Sequence, residues 1–266
     1  MMSIITISRG SYSRGKEVAE KVAQKLGYAC ISRDVVIEAC DEFNVPEIKL
    51  IRAIHDAPSM MERFTGGKKR FLAFFQAVLL DHFQKDNVVY HGLGGHVFIQ
   101  DVPHVLKVRI VAEMEDRIRL EMQREGISAA EAHGILISDD EERRKWSQYV
   151  LGVDPCDPAL YDLVLHIKKI TSTDAAELIC HAAALEHFRA TPESQQAMDD
   201  LAIAAKVRAA LIDLKPDIEV SSNRGVVSVE TKTSQVRKEW QIINLAKAVP
   251  GVKDVKIMAQ ELKLTP

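Results

Sequence analysis

The stretch that decides the fold of this chain is Ile4-Ile5-Thr6-Ile7-Ser8-Arg9-Gly10-Ser11-Tyr12-Ser13-Arg14-Gly15-Lys16-Glu17. Its first residues are apolar and mostly β-branched, which predicts a short buried strand. From Gly10 the sequence follows the pattern G-x-x-x-x-G-K, and an amphipathic helix pattern then continues to Gly27. Because backbone N–H groups and the helix dipole attract anions at a helix N-terminus, this strand–loop–helix order predicts a phosphate-binding loop.

One position departs from the usual phosphate-loop pattern. The residue after Lys16 is Glu17, where a Ser or Thr normally binds Mg²⁺. The alternative interpretation is an ordinary surface turn that carries two glycines and a lysine. The position of the loop between an apolar strand and a strongly periodic helix favours phosphate binding. We therefore predict that the backbone from Gly10 to Glu17 holds an anion, with the Lys16 side chain directed towards it.

The composition sets limits on the class of protein. The 266 residues have room for one large domain, or for a medium domain and a small one. The net charge of −3 gives no support for binding to nucleic acid or to an anionic membrane. No apolar run approaches the roughly 18 residues of a membrane span, and the N-terminus lacks the layout of a signal peptide. The four cysteines form no C-x-x-C pair, which predicts reduced thiols in a cytoplasmic protein.

Predicted strands and helices alternate through the first two thirds of the chain. After the first strand and helix, strands are predicted at 88–90, 105–111 and 162–166, and helices at 35–43, 71–83, 115–125 and 173–188. Ser128 and Glu131 form a capping-box pattern, which predicts the start of a further helix. The alternation predicts a parallel sheet with helices on both faces. Ligands bind such sheets beyond the carboxyl ends of the strands.

The pattern changes after residue 188. Residues 189–198 are polar and read as a linker. The remainder, 199–266, predicts a small α+β domain of order αββαβ. Its elements are helices at about 198–214 and 234–248, a hairpin of strands 218–221 and 226–230, and a strand at 252–258.

The segment 1–188 resembles the cytidylate kinase-like family, a branch of the P-loop nucleoside monophosphate kinases. In that family Glu is common at the position of Glu17. The matching residues are Ile7-Ser8-Arg9 with Gly15-Lys16-Glu17-Val18-Ala19, Leu26-Gly27-Tyr28 with Arg33-Asp34, Gly92 and Gly94, Val108-Arg109-Ile110-Val111-Ala112 with Glu115-Asp116-Arg117-Ile118, Arg124-Glu125-Gly126-Ile127-Ser128, Gly152-Val153-Asp154 with Asp157-Pro158, and Tyr161-Asp162-Leu163-Val164.

The resemblance implies a P-loop fold of three layers, α/β/α, around a parallel sheet, with a mobile arginine-bearing lid. It implies that ATP and Mg²⁺ are the cofactors and that a phosphoryl group passes to a nucleoside monophosphate, with CMP or a related pyrimidine monophosphate as the default acceptor. Carried over to this sequence, ATP would be held by Gly10, Ser13, Arg14, Gly15, Lys16 and Glu17, the substrate by Arg33, Asp34, Gly92 and Gly94, and the transferring phosphate by the catalytic residues Lys16, Arg117, Arg143 and Arg144.

Departures from the family pattern raise a second hypothesis. Leu93 stands where the family has an arginine between two glycines, and Asp140 and Glu142 stand where the lid normally carries arginines. Loss of one transition-state donor commonly costs on the order of a hundredfold in rate. The alternative to a kinase with weakened turnover is therefore a catalytically impaired, nucleotide-binding regulatory or adaptor protein.

The segment 199–266 resembles a BON domain. The resemblance is carried by the αββαβ order, by Gly225 before Val226-Val227-Ser228-Val229, and by Val249-Pro250-Gly251-Val252 before the last strand. It implies that a small-molecule or protein ligand binds there, of unidentified nature. The spacing of the histidines and aspartates does not predict a metal site.

Overall fold

The structure is a computed structural model that describes residues 3–11, 13–32, 67–92, 94–231 and 236–259. The predicted helix at 35–43, the predicted substrate residues Arg33 and Asp34, and Leu93 lie outside the described residues. The chain forms two compact units. In the described part, the helices are α1 (Gly15–Leu26), α2 (Gly67–Gln84), α3 (Met114–Glu125), α4 (Ala129–Leu151), α5 (Ser172–Ala183), α6 (Pro192–Leu211) and α7 (Val236–Lys247).

The first unit is built on a five-stranded parallel sheet. The strands are β1 (Ile4–Arg9), β2 (Ala29–Ser32), β3 (Val88–His91), β4 (Val105–Ala112) and β5 (Leu163–Ile167), in the order β2-β3-β1-β4-β5. The central strand β1 pairs with β3 on one side and β4 on the other, and its apolar side chains are fully buried. A parallel sheet is covered on both faces, which explains why these strands read as continuous apolar runs. The predicted α/β fold with a parallel sheet flanked by helices is confirmed.

Helices α1 and α5 pack on one face of this sheet. Their inward residues are mostly small or β-branched, and they form one core with alternate residues of the strands. The contributing side chains are Val18, Ala19, Val22 and Ala23 of α1, Ala175, Ala176, Ile179 and Ala183 of α5, and Ile5, Ile7, Val108 and Ile110 of the two central strands. Because side chains alternate along a strand, Arg109 points to the opposite face, between two core residues.

Helix α4 begins at the capping box that the sequence predicts. The backbone N–H of Glu131 donates to Ser128 Oγ, and the Glu131 carboxylate accepts from the Ser128 backbone N–H. These bonds satisfy N–H groups that a helix N-terminus leaves free. The helix then runs without interruption to Leu151, and this places Asp140, Arg143 and Arg144 on one continuous element.

The second unit contains α2 together with the helices and strands of the C-terminal part of the chain. Its sheet has β6 (Glu219–Asn223), β7 (Val226–Thr231) and β8 (Asp254–Ala259), with β6 antiparallel and β8 parallel to β7. The order α6, β6, β7, α7, β8 is the predicted αββαβ. Two features differ from the prediction. Helix α6 starts at Pro192, inside the predicted linker, and α2, which lies within the predicted first domain, packs against α6 in the second unit.

Asp200 of α6 holds the hairpin turn between β6 and β7. Its carboxylate accepts hydrogen bonds from Ser222 Oγ (2.6 Å), the Arg224 backbone N–H (2.7 Å) and the Gly225 backbone N–H (3.0 Å). Burial raises the pKa of Asp200, but these hydrogen bonds outweigh it and hold the pKa below its ordinary value. Arg224 and Gly225 both have positive φ, the geometry of a tight hairpin turn, so Asp200 stabilises a strained loop.

We expect Asp200→Ala to loosen this hairpin by about 2 kcal/mol, because the buried Gly225 backbone N–H and the partly buried Arg224 backbone N–H lose their acceptor. Hydrogen–deuterium exchange of 219–231 should become faster. Asp213→Ala is the control, since Asp213 is exposed and forms a surface ion pair with Arg70. A carboxylate with a depressed folded pKa stabilises above its unfolded pKa, so the difference should shrink as the pH falls below about 4. Equal exchange in both variants at neutral pH would contradict this role.

Candidate active site

A cavity of about 120 Å³ opens in the first unit, beyond the carboxyl ends of β1 and β4. Five of its lining residues are arginines and one is a carboxylate. The described lining is Arg9, Gly10, Ser13, Arg109, Val111, Ala112, Arg117, Asp140, Arg143, Arg144, Pro155 and Cys156. The strand ends, the predicted phosphate loop, α3 and α4 therefore converge on one strongly cationic site.

The loop between β1 and α1 is held by Ser13. The buried Ser13 hydroxyl lies 3.0 Å from the carbonyl oxygen of Gly10 and 3.2 Å from that of Ile110, to which it donates. The second contact fixes the loop to the end of β4. Gly15 is required by close approach, because a Cβ there would lie 2.7 Å from the Arg9 side chain. The loop therefore packs tightly beneath Arg9.

Arg117 and Asp140 hold the loop from the other side. Arg117 Nε donates to the carbonyl oxygen of Ser11 (2.7 Å), and its Nη2 lies 2.7 Å from Asp140 Oδ2. The other carboxylate oxygen of Asp140 accepts from the Ser11 backbone N–H (3.2 Å). The Arg117 side chain is only 9% exposed. Charge-assisted bonds at low exposure are strong, so this triangle fixes both the loop and the guanidinium.

Arg109 presents a second guanidinium from within the sheet. It lies opposite Ser8 in the β1–β4 register, and its Cζ is 5.7 Å from the centre of the Tyr161 ring. Its terminal nitrogens donate to Tyr161 Oη and Cys156 Sγ, both at 3.5 Å. Within the described part of the chain, no carboxylate forms an ion pair with Arg109. This half-buried cation is therefore supported by an aromatic ring rather than by a counter-ion.

His96 lies behind Arg109 and is uncharged. Its ring centre is 4.8 Å from that of Tyr161, and the residue is almost completely buried. Burial, reinforced by the charges of Arg109 and Lys107, lowers the pKa of His96 to about 4. At neutral pH this histidine therefore serves as a packing group and adds no charge to the cavity.

Arg144 is held by the turn that follows α4. Its Nη2 is 2.5 Å and its Nε 3.0 Å from Asp154 Oδ2. The hydrogen bonds raise the pKa of the Arg144 guanidinium, and the pKa of Asp154 is lowered first by the Cys156 backbone N–H and then by Arg144. Asp154 thus connects α4 to the cavity wall at Cys156.

The structure brings together five of the residues predicted for the site. Gly10, Ser13, Arg117, Arg143 and Arg144 all line the cavity. Gly15 lies directly behind this lining, against Arg9, and Arg14 caps α1 in a left-handed conformation.

Lys16 and Glu17 are directed elsewhere. The Lys16 side chain is 67% exposed, and its Nζ lies 3.8 Å from Glu20 Oε1. Glu17 accepts from Ser172 Oγ (2.5 Å) at the start of α5 and pairs with Lys21 and Arg14. Burial raises the pKa of Glu17, but the bonds from Ser172 and Lys21 outweigh it, so the pKa is lowered. Neither residue is among the described lining of the cavity.

Gly92 and Gly94 follow β3. The Gly92 backbone N–H donates to the carbonyl oxygen of Ile7 (3.2 Å), which extends the sheet by one bond. Gly94 has a φ of 81° and faces Leu151 at the end of α4. Both glycines shape the backbone just after the carboxyl end of β3, and neither is in the described lining of the cavity.

Arg9 and Arg109 line the cavity but are not among the site residues that the sequence predicts. Both lie in apolar strand runs, where the periodicity assigns them to the sheet. A usable signal was present, because a charged residue inside an otherwise buried strand needs a polar environment on one face. Among the described residues, no group of three His, Cys, Asp or Glu side chains could hold a metal ion. None of the described helices is both long and apolar enough to cross a membrane.

The chain is similar to solved structures of other proteins. The crystal structure of an uncharacterized protein from Eubacterium ventriosum ATCC 27560 is 18% identical, with a TM-score of 0.53 over 68% of this chain and 98% of that chain. Shikimate kinase from Bacteroides thetaiotaomicron is 13% identical, with a TM-score of 0.44 over 70% of this chain and 100% of that chain. No curated protein matches the sequence.

The first of these likenesses shows that the fold is shared with a solved structure. The sequence profile described as "Cytidylate kinase-like family" matches residues 4–169, well over half of the chain. This match spans β1 to β5 and includes every lining residue of the arginine-rich cavity. The chain therefore belongs to the cytidylate kinase-like family.

Proposed function

We propose that this protein is an ATP-dependent kinase that transfers a phosphoryl group to a nucleoside monophosphate. The observation that carries the proposal is the arginine-lined cavity next to the loop between β1 and α1. Phosphoryl transfer requires little covalent chemistry from a protein; it requires alignment of the two phosphates and cations around the one that moves. A cavity with five guanidinium groups at strand ends suits that requirement.

The residues of the cavity fit a chain of phosphates. In our proposal the loop backbone near Gly10 and Ser13 and the N-terminus of α1 receive the phosphates of ATP. Arg117 stabilises the developing charge, because its guanidinium is fixed by the loop carbonyl of Ser11 and does not need to reorganise. Arg143 and Arg144 approach from α4, as the basic groups of a lid.

The residues of this site would hold Mg²⁺ only together with a bound nucleotide. The carboxylate of Glu17 is engaged by Ser172, Lys21 and Arg14, and Asp140 is the single carboxylate of the described lining. Mg²⁺ in such enzymes keeps several waters and is bound largely through substrate phosphates. Bound Mg²⁺ would neutralise phosphate charge, whereas the arginines of this chain orient the phosphates and hold them in line.

Arg9 and Arg109 support a kinase over the regulatory alternative. That alternative depended on a loss of cations at Leu93, Asp140 and Glu142. Two further guanidinium groups line the cavity from β1 and β4, so the site holds more positive charge than the motif residues alone supply. The αββαβ order and the turn at Gly225 support a BON-like ligand-binding role for the C-terminal elements, as a separate part of the proposal.

We expect Arg117→Gln to weaken ATP binding between about tenfold and a hundredfold, since one well-placed charged donor to phosphate is lost. Isothermal titration calorimetry of the full chain with ATP and Mg²⁺ is the measurement. Arg119→Gln is a matched control, because Arg119 lies two residues later on α3, is exposed and pairs with Asp116. Equal affinity of both variants and the unmodified protein would remove Arg117 from the site.

We also expect Arg109→Gln to lower kcat/KM about a hundredfold, the usual cost of one transition-state donor. Coupled ADP-release assays with CMP, UMP, AMP, GMP and dCMP would measure it and name the acceptor. Lys107→Gln is the control, since Lys107 lies on the same face of β4 but pairs with Asp162. If the unmodified protein releases no ADP with any of these acceptors, the kinase proposal is wrong.

A further inference from the structure

The carboxylate of Asp140 lies where a phosphate would be expected at the loop. Its Oδ1 accepts from the Ser11 backbone N–H at 3.2 Å and would be 3.7 Å from a Cβ placed on Gly10. Its Oδ2 lies 2.7 Å from Arg117 Nη2. Asp140 therefore binds the two kinds of group, a loop N–H and a buried guanidinium, that bind phosphate in the function proposed above.

A phosphate oxygen and this carboxylate cannot use the same donors together. The Ser11 N–H is a single donor, and two anions within a few ångströms of each other repel. A phosphate that binds at Ser11 and Arg117 must therefore displace Asp140. The loop is held in shape by its own chain when no phosphate is bound.

The position of Asp140 on α4 allows this displacement. Its side chain is 36% exposed, so the carboxylate can turn into solvent and be hydrated there. Arg143 lies three residues later, on the same side of the helix, and already lines the cavity. Movement of Asp140 away from the loop thus leaves a cation of the same helix beside the cavity.

We infer that Asp140 is an internal competitor for the phosphate loop, which a phosphate ligand exchanges for Arg143 when it binds. The inference rests on the proposed function for the identity of the ligand. It adds that the unliganded site is self-occupied, and that phosphate binding breaks the contact between α4 and the loop. Thermodynamically, every ligand that enters the loop displaces the same carboxylate, so each loses the same factor of affinity.

The test is the affinity of Asp140→Asn for inorganic phosphate, pyrophosphate and ATP, by calorimetry on the full chain. We expect all three to bind about tenfold more tightly than to the unmodified protein, because a charged hydrogen-bonded competitor is removed. The factor should be the same for each ligand. Simple relief of repulsion would instead grow with ligand charge, from phosphate to ATP.

Asp139→Asn is the matched control for charge. Asp139 lies one residue earlier on α4, and within the described part of the chain it makes no hydrogen bond to Ser11 or Arg117. The Asp139→Asn variant measures the long-range effect of one lost charge on affinity. The further gain in affinity of Asp140→Asn over Asp139→Asn therefore measures the effect of the local contact. Weaker or unchanged binding by Asp140→Asn, relative to this control, would overturn the inference and indicate a supporting role for Asp140.

A measurement on the unmodified protein keeps the test independent of the variant's folding. Pyrophosphate should change hydrogen–deuterium exchange in α4 around Asp140 as well as in the loop at 10–14. Protection of the loop with unchanged exchange in α4 would also overturn the inference. Failure of the proposed function looks different: tighter phosphate binding by Asp140→Asn, without kinase turnover in any variant, would uphold the competitor and reject the kinase.

Discussion

The mutual repulsion of five guanidinium groups around one small cavity is the constraint on which the site depends. Arginine cannot lose its proton in a protein, so the repulsion must be offset by placement. The positive charge of Arg117 is offset by the Asp140 carboxylate, and that of Arg144 by Asp154. The Arg109 guanidinium instead lies against the Tyr161 ring. These three contacts fix the position of α3, α4 and β4, respectively. The geometry of the site and the packing of the unit are thus set by the same contacts.

The parallel sheet makes this concentration of charge possible. In β4, Val108 and Ile110 are buried in the core with α1 and α5, and the residue between them must face the other side. Arg109 is therefore carried by a strand that is anchored by its neighbours. A cation on such a strand has less freedom than one on a surface loop, and this reduces the reorganisation needed when charge develops on a substrate.

The sequence predicted those parts that follow from local pattern. The strand at Ile4, the loop at Gly10 and the helix from Gly15 are encoded within one continuous stretch, and the start of α4 is encoded in the capping box of Ser128 and Glu131. The contact of Asp140 with Ser11 joins residues 129 positions apart. The spacing of residues within one helix or strand cannot predict such a long-range pair. The packing of α2 with α6 could not be predicted for the same reason. The apolar face of an amphipathic helix indicates that the helix packs against another element, but not which element that is.

The depressed basicity of His96 has a consequence for how the site responds to acid. With a pKa of about 4, this imidazole stays neutral across the mildly acidic range, and the arginines around the cavity remain charged throughout it. The positive field of these groups is therefore constant as a cell acidifies from neutrality. In the proposed function, the partner that titrates over this range is a terminal phosphate, whose second ionisation falls near pH 6. The protonation state of the substrate, rather than that of the arginines around the cavity, would then determine how the fraction of protein with bound substrate changes with pH.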